Sequence, residues 1–131
     1  MEKIMKIAIV TDDHLTISTH FGRAKFYEVF TIEGGHVTAQ ETIARSNPQL
    51  LPTVVSDSAP GGHHHHNHDH NAMIAPIADC KALVTRGMGM GAHVSLQEHG
   101  IQPIITDLPE IQDAVKAFID GVLVDHVERL H

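Results

Sequence analysis

The order of apolar and polar positions divides the chain into a strand-rich first half and an alternating second half. Residues 5–11 (MKIAIVT) form a short, continuous apolar run rich in β-branched side chains. That pattern predicts a central strand buried on both faces. Residues 26–32 (FYEVFTI) predict a second strand. Glu33-Gly34-Gly35-His36 predicts a tight turn, and residues 37–43 return as a more polar strand with Val37, Ala39 and Glu41 on one face. Two strands around Gly-Gly make an antiparallel hairpin, placed toward a sheet edge. Between the first two strands, Ser18–Arg23 reads STHFGR. Gly22 permits a turn there, and His20 and Phe21 are presented on a loop.

The second half alternates. Residues 72–79 predict a short helix with Pro76 in its first turn. Within residues 80–86, Ala82-Leu83-Val84-Thr85 predicts a short buried strand. Gly87-Met88-Gly89-Met90-Gly91 follows, then a helix over 92–99 with Ala92, Leu96 and His99 on one side and Gly100 at its end. Residues 101–106 predict another strand. Asp107-Leu108-Pro109-Glu110 resembles a helix start, with Asp107 as cap and Pro109 in the first turn. Ile111, Ala114, Val115, Phe118, Ile119 and Val122 then fall at helical spacing on one face. Gly121 is a stop, and residues 122–127 add an extended tail or frayed last turn. Late alternation implies a parallel half and the early hairpin an antiparallel one, so the expectation is an α/β fold with a mixed sheet of about five strands.

Residues 46–60 contain Pro48, Pro52 and Pro60 and no period. With the following GGHHHHNHDH at 61–70 they make about 25 residues of irregular chain (46–71), a length that is usually functional or disordered. The segments before it are too few to close a core alone, so one domain over 1–131 is expected. Six of the thirteen histidines lie at 63–70. Tags sit at chain ends, whereas patterned sequence flanks this tract on both sides.

Composition narrows the classes. An apolar fraction of 42% and a mean hydropathy of −0.06 are those of a soluble globular protein. No apolar run approaches the roughly 20 residues of a membrane span. Residues 1–10 lack a signal peptide's apolar region and cleavage site, so a cytoplasmic location and no membrane partner are expected. A net charge of −7 without a basic stripe argues against nucleic acid. The single cysteine, Cys80, excludes an internal disulfide and a Cys-rich metal cage.

Three constellations carry candidate chemistry. In the central tract, His63, His64, His65, His66, His68 and His70 can converge on one ion, and Asp69 can add an oxygen; imidazole suits nickel, zinc and copper. Gly87-x-Gly89-x-x-Ala92, with Asp107 twenty residues after Gly87, has the spacing of a dinucleotide fingerprint, but little chain remains to complete such a fold. The same turn offers helix N-terminal amides to an anion or a cluster, or simply allows close helix–strand packing. His20 in THFGR gains weight if the fold brings it to the sheet end that carries 87–91. Arg23 and Arg86 would then supply positive charge, and the thioethers of Met88 and Met90 could touch a soft metal. Asp12 and Asp13 after the first strand could take a cation or be solvated. Cys80 reads as a core thiol.

Taken together, the 5–11 strand, His20-Phe21-Gly22-Arg23, the Gly/His-rich centre and Arg86-Gly87-Met88-Gly89 running into a helix resemble the dinitrogenase iron–molybdenum cofactor biosynthesis family. The resemblance covers residues 5–121. The family's GGMG turn stands here as RGMGMG, with Arg86 in place of the first glycine. The resemblance implies a ribonuclease-H-like α/β fold without nuclease activity and a role in binding or carrying a metal–sulfur cluster. It makes His20 the leading carried-over ligand, with Gly87–Gly91 lining the neighbouring pocket.

Three functions follow as expectations. The first is a non-enzymatic carrier of an iron–sulfur or iron–molybdenum-type cluster, working between donor and recipient proteins. The second is a divalent-metal buffer or chaperone using the histidine tract. The third, and weakest, is a small nucleotide-dependent enzyme.

Overall fold

The computed structural model describes residues 4–45 and 73–130. Five strands, β1 (Ile4–Thr11), β2 (Phe26–Glu33), β3 (His36–Ala44), β4 (Ala82–Thr85) and β5 (Gln102–Ile105), form one sheet in the order β3-β2-β1-β4-β5. β1, β4 and β5 run parallel, and the β2–β3 hairpin is antiparallel to its neighbours. Helices α1 (Met90–Glu98) and α2 (Ile111–Asp120) complete the expected mixed α/β architecture.

The continuous apolar run of β1 follows from its place at the centre. Ala8 and Val10 join one core with Tyr27, Leu83, Ile105 and the α1 residues Ala92 and Leu96. Ile7 and Ile9 join the other with Phe30, Val84, Ile104 and the α2 residues Ile111, Ala114 and Val115. Each face of the sheet is therefore covered by one helix, and every residue of β4 is buried. At ~25 cal/mol per Å² of apolar surface removed from water, this two-sided burial is the main force holding the parallel half together.

Several local expectations are corrected. α1 begins at Met90 rather than Ala92, so Met90 and Gly91 belong to its first turn, and His99 is exposed rather than on the packed side. α2 begins at Ile111 and not at Asp107, with Glu110 as its cap. The reason is tertiary: Pro109 O accepts the Ile17 N–H (2.8 Å) and Glu110 bridges Thr16, which holds these residues extended. Gly121 (φ 76°) ends α2, leaving Val122 65% exposed and off the packed face. On β3, a bulge opposite Thr31 and Ile32 shifts the register, pairing Ile32 with Val37 but Thr31 with Ala39, so Val37 and Ala39 do not share a face. Near Pro76, Met73 and Ile74 are helical as expected and run into a 3-10 turn over Ala75–Ile77.

Candidate functional site

Because β1 and β4 are parallel neighbours, the loops that follow them leave at one rim. After β1 the chain turns out and back. Thr11 bridges Ile17, and Ser18 donates its N–H to Val10 O (2.9 Å). This return fixes the HFGR turn. His20 N–H donates to Ser18 Oγ (3.1 Å), and His20 O accepts the N–H groups of Arg23 and Ala24 (both 3.1 Å). The result is a 3-10 turn over Phe21–Arg23.

The turn after β4 is tied to it directly. Arg86 N–H donates to Ser18 O (3.0 Å), and Phe21 N–H donates to Gly87 O (3.0 Å). Beneath them the buried Thr85 hydroxyl lies 3.0 Å from Gly87 O and 3.4 Å from Ser18 O. Two stretches some sixty-five residues apart in sequence are thus brought together by backbone bonds (Phe21 to Gly87, Ser18 to Arg86). Phe21 (1% exposed) and Met88 (2%) point into the core, while His20, Gly22, Arg23, Met90 and Gly91 are exposed at the rim. Arg86 and Gly89 are half-buried. Gly89 caps α1 with no side-chain bond to the helix amides, and α1 has no acidic residue in its first turn. The positive end of the helix therefore faces the rim without a counter-charge from its own first turn.

A residue that the hydrophobic pattern did not single out lies under this surface. Arg45, at the end of β3, is buried, and its Nη1 donates to the Phe21 carbonyl. Its guanidinium carbon sits 4.9 Å from the Phe21 ring centre and 4.7 Å from that of Tyr27, and Nη2 approaches Met73 Sδ at 2.9 Å. Burial lowers its pKa, opposed by Tyr27 and Asp12, yet a guanidinium starts so high that it remains charged. The Nε atoms of Arg45 and Arg86 are buried with no hydrogen-bond partner among the described residues. A lone arginine beside a proline-rich loop carries no periodic signal, so only its packing reveals it.

The donor set is sparse. Among the described residues no group of three or more His, Cys, Asp or Glu could hold a metal ion. Cys80 is buried, and desolvation together with Asp79 pushes its thiol up to about 12, so it rests as the neutral thiol. It is the core thiol expected from sequence. The Asp13 carboxylate takes the amides of Thr16 (2.8 Å) and Leu15 (2.9 Å), which hold it down to about 2. Asp107 lies beyond the end of β5 with Oδ1 3.5 Å from His126 Nε2. The candidate ligands His63, His64, His65, His66, His68, Asp69 and His70 lie outside the described residues. Two clefts occur elsewhere, one of about 440 Å³ between the hairpin and α2, the other of about 300 Å³ beside Asp107 and His126.

One exposed imidazole, uncapped helix amides and cationic side chains make a surface for anions rather than a closed cage for a bare cation. The fold and rim place the protein among small α/β domains whose functional turns gather at the ends of parallel strands. A family profile, dinitrogenase iron–molybdenum cofactor, matches residues 3–121, and the chain belongs to that family. An uncharacterised protein of Methanocaldococcus jannaschii, MJ0580, is 25% identical over 92% of this chain and 91% of its own length. The crystal structure of PH0822 superposes with a TM-score of 0.66 at 28% identity, covering 93% of this chain and 96% of that one. The apo form of the orange protein from Desulfovibrio gigas superposes with a TM-score of 0.66 at 21% identity over 92% of both chains. Among the described residues no helix is long and apolar enough to cross a membrane.

Proposed function

We propose that this protein binds and delivers an anionic metal–sulfur cluster, of iron–sulfur or iron–molybdenum type, as a carrier and not as a catalyst. The observation that carries this reading is the pair of backbone bonds, Phe21 N–H to Gly87 O and Arg86 N–H to Ser18 O, that join the His20 turn to the glycine-rich turn. His20 is the cluster's protein ligand. The amides that open α1 around Gly89–Gly91 face its negative charge, with Arg23 and Arg86 beside them. Gly87 and Gly89 keep the surface low enough for the backbone to approach, and Gly22 and Met90 complete the rim over the buried Phe21 and Met88. A carrier must release its cargo, and one imidazole with backbone donors releases more readily than four fixed ligands.

In this reading residues 1–131 act as one domain, and the partners are a protein that supplies the cluster and one that receives it. The test is anaerobic purification without a nickel column, followed by elemental analysis and absorption spectroscopy. His20→Ala abolishes the cluster absorption, while His63–His66 replaced by alanine keeps it. Loss of all bound metal on replacing the tract, with His20→Ala silent, would instead establish the divalent-metal buffer.

A further inference from the structure

On the opposite face of β1 from Phe21 and Met88, a second histidine is held more tightly than His20. His14 Nδ1 lies 2.7 Å from Glu28 Oε2. Glu28 is 1% exposed on a strand otherwise facing the core, and its carboxylate also takes Gln40 Nε2 (3.1 Å) and Thr42 Oγ1 (2.9 Å). Burial pushes the Glu28 pKa up, but the bonds from His14, Gln40 and Thr42 outweigh it, and the group titrates below its ordinary value. An ionised carboxylate can only accept, so Nδ1 must carry the proton. The neutral ring then has its lone pair on Nε2.

The ring is also fixed in place. Its centroid packs 4.4 Å from that of Phe26, and His14 N–H donates to Thr11 Oγ1 (2.9 Å). The backbone is left-handed at φ 69°, the one non-glycine residue with positive φ among those described. Glycine would hold that turn with less strain. The histidine side chain nevertheless stays 48% exposed.

We infer that His14, oriented by Glu28, is a separate docking ligand for a single divalent transition-metal ion, which it coordinates through Nε2 with water filling the remaining positions. A carboxylate on the far ring nitrogen fixes the tautomer and raises the basicity of the ligating one, the arrangement that metal-bound histidines use. Imidazole favours nickel, zinc and copper over magnesium or calcium. With one protein ligand the ion exchanges freely, and the site does not depend on the cluster rim.

The test uses the full chain, labelled with ¹⁵N, and reads individual imidazoles by long-range proton–nitrogen correlation at pH 7.5 while Ni²⁺ is added. In the wild type, His14 shows a protonated Nδ1 and a bare Nε2. Its signals broaden at lower Ni²⁺ than those of His36 and His99, which are also exposed. Glu28→Gln raises the Ni²⁺ needed at His14 by about tenfold, as loss of a supporting carboxylate does, and His14→Asn removes the response while suiting the left-handed backbone. A proton on Nε2, or broadening no earlier than at His36 and His99, overturns the proposal in the wild type alone, whatever the variants do. An unchanged response in folded Glu28→Gln overturns the role of the carboxylate.

Discussion

Two charges are buried on opposite faces of the hairpin, one saturated and one not. Glu28, on the α2 side, has both oxygens occupied by His14, Gln40 and Thr42. Arg45, on the α1 side, has a carbonyl, a thioether and two aromatic faces, and keeps one N–H without a partner among the described residues. The anion is a finished structural unit that orients a neighbour. Among the described residues the cation's direct contacts are groups of partial charge, with Asp12 acting on it from farther off, and it sits under the loop that carries His20. A guanidinium held this way still projects positive potential toward whatever occupies the rim above it.

The widest gap between the two should come from truncation. Arg45→Ala strips the Phe21 carbonyl of its donor and both rings of their cation, and should cost about 3 kcal/mol in urea unfolding. Glu28→Ala should cost less, about 2 kcal/mol, because half-exposed His14 and the exposed Gln40 and Thr42 can turn to water. An equal or reversed order would break the comparison. Arg45→Met sharpens it. A fitting apolar side chain in place of a buried charge is often tolerated, so unfolding should shift by no more than about 1 kcal/mol. Binding of an anionic metal–sulfur cluster should nevertheless weaken, measured by spectroscopic titration.

Acid titration probes the carboxylates. Asp13 is held at about 2 against an ordinary 3.8. Its folded value is the lower one, so its contribution is complete above about 3.8 and disappears as the pH falls toward 2. Asp13→Asn should therefore lower the thermal midpoint at neutral pH and converge with the wild type near pH 2. Glu28 has the same sign, its share being lost as pH falls through its depressed value. The smallest effect is expected at Cys80. Cys80→Ala should cost about 1 kcal/mol and leave any bound cluster's absorption unchanged, and the native thiol should react with Ellman's reagent only after unfolding.

Strand identity was legible wherever both faces of the sheet are covered. β1 and β4 read as unbroken apolar runs because each side chain meets a core. The meeting of the His20 and Gly87 turns was legible too, since parallel neighbours must shed their loops at one rim. Boundaries set by distant partners were not. Nothing local marks Pro109 and Glu110 as extended; they are so because Ile17 and Thr16 bond to them. Glu28 and Arg45 were invisible for a related reason. A charged residue in a strand or just past its end reads as an outward-facing position, and only the groups that converge on it from other segments make it an inward one.

The bulge beside Thr38 has an effect beyond the hairpin. β3 is the outermost strand and its residues are largely exposed, so its free edge could recruit a foreign strand. The extra residue twists and interrupts that edge, and Glu41 sets a charge along it. A straight ladder of amides and carbonyls would invite fibrous stacking; a crooked one discourages it.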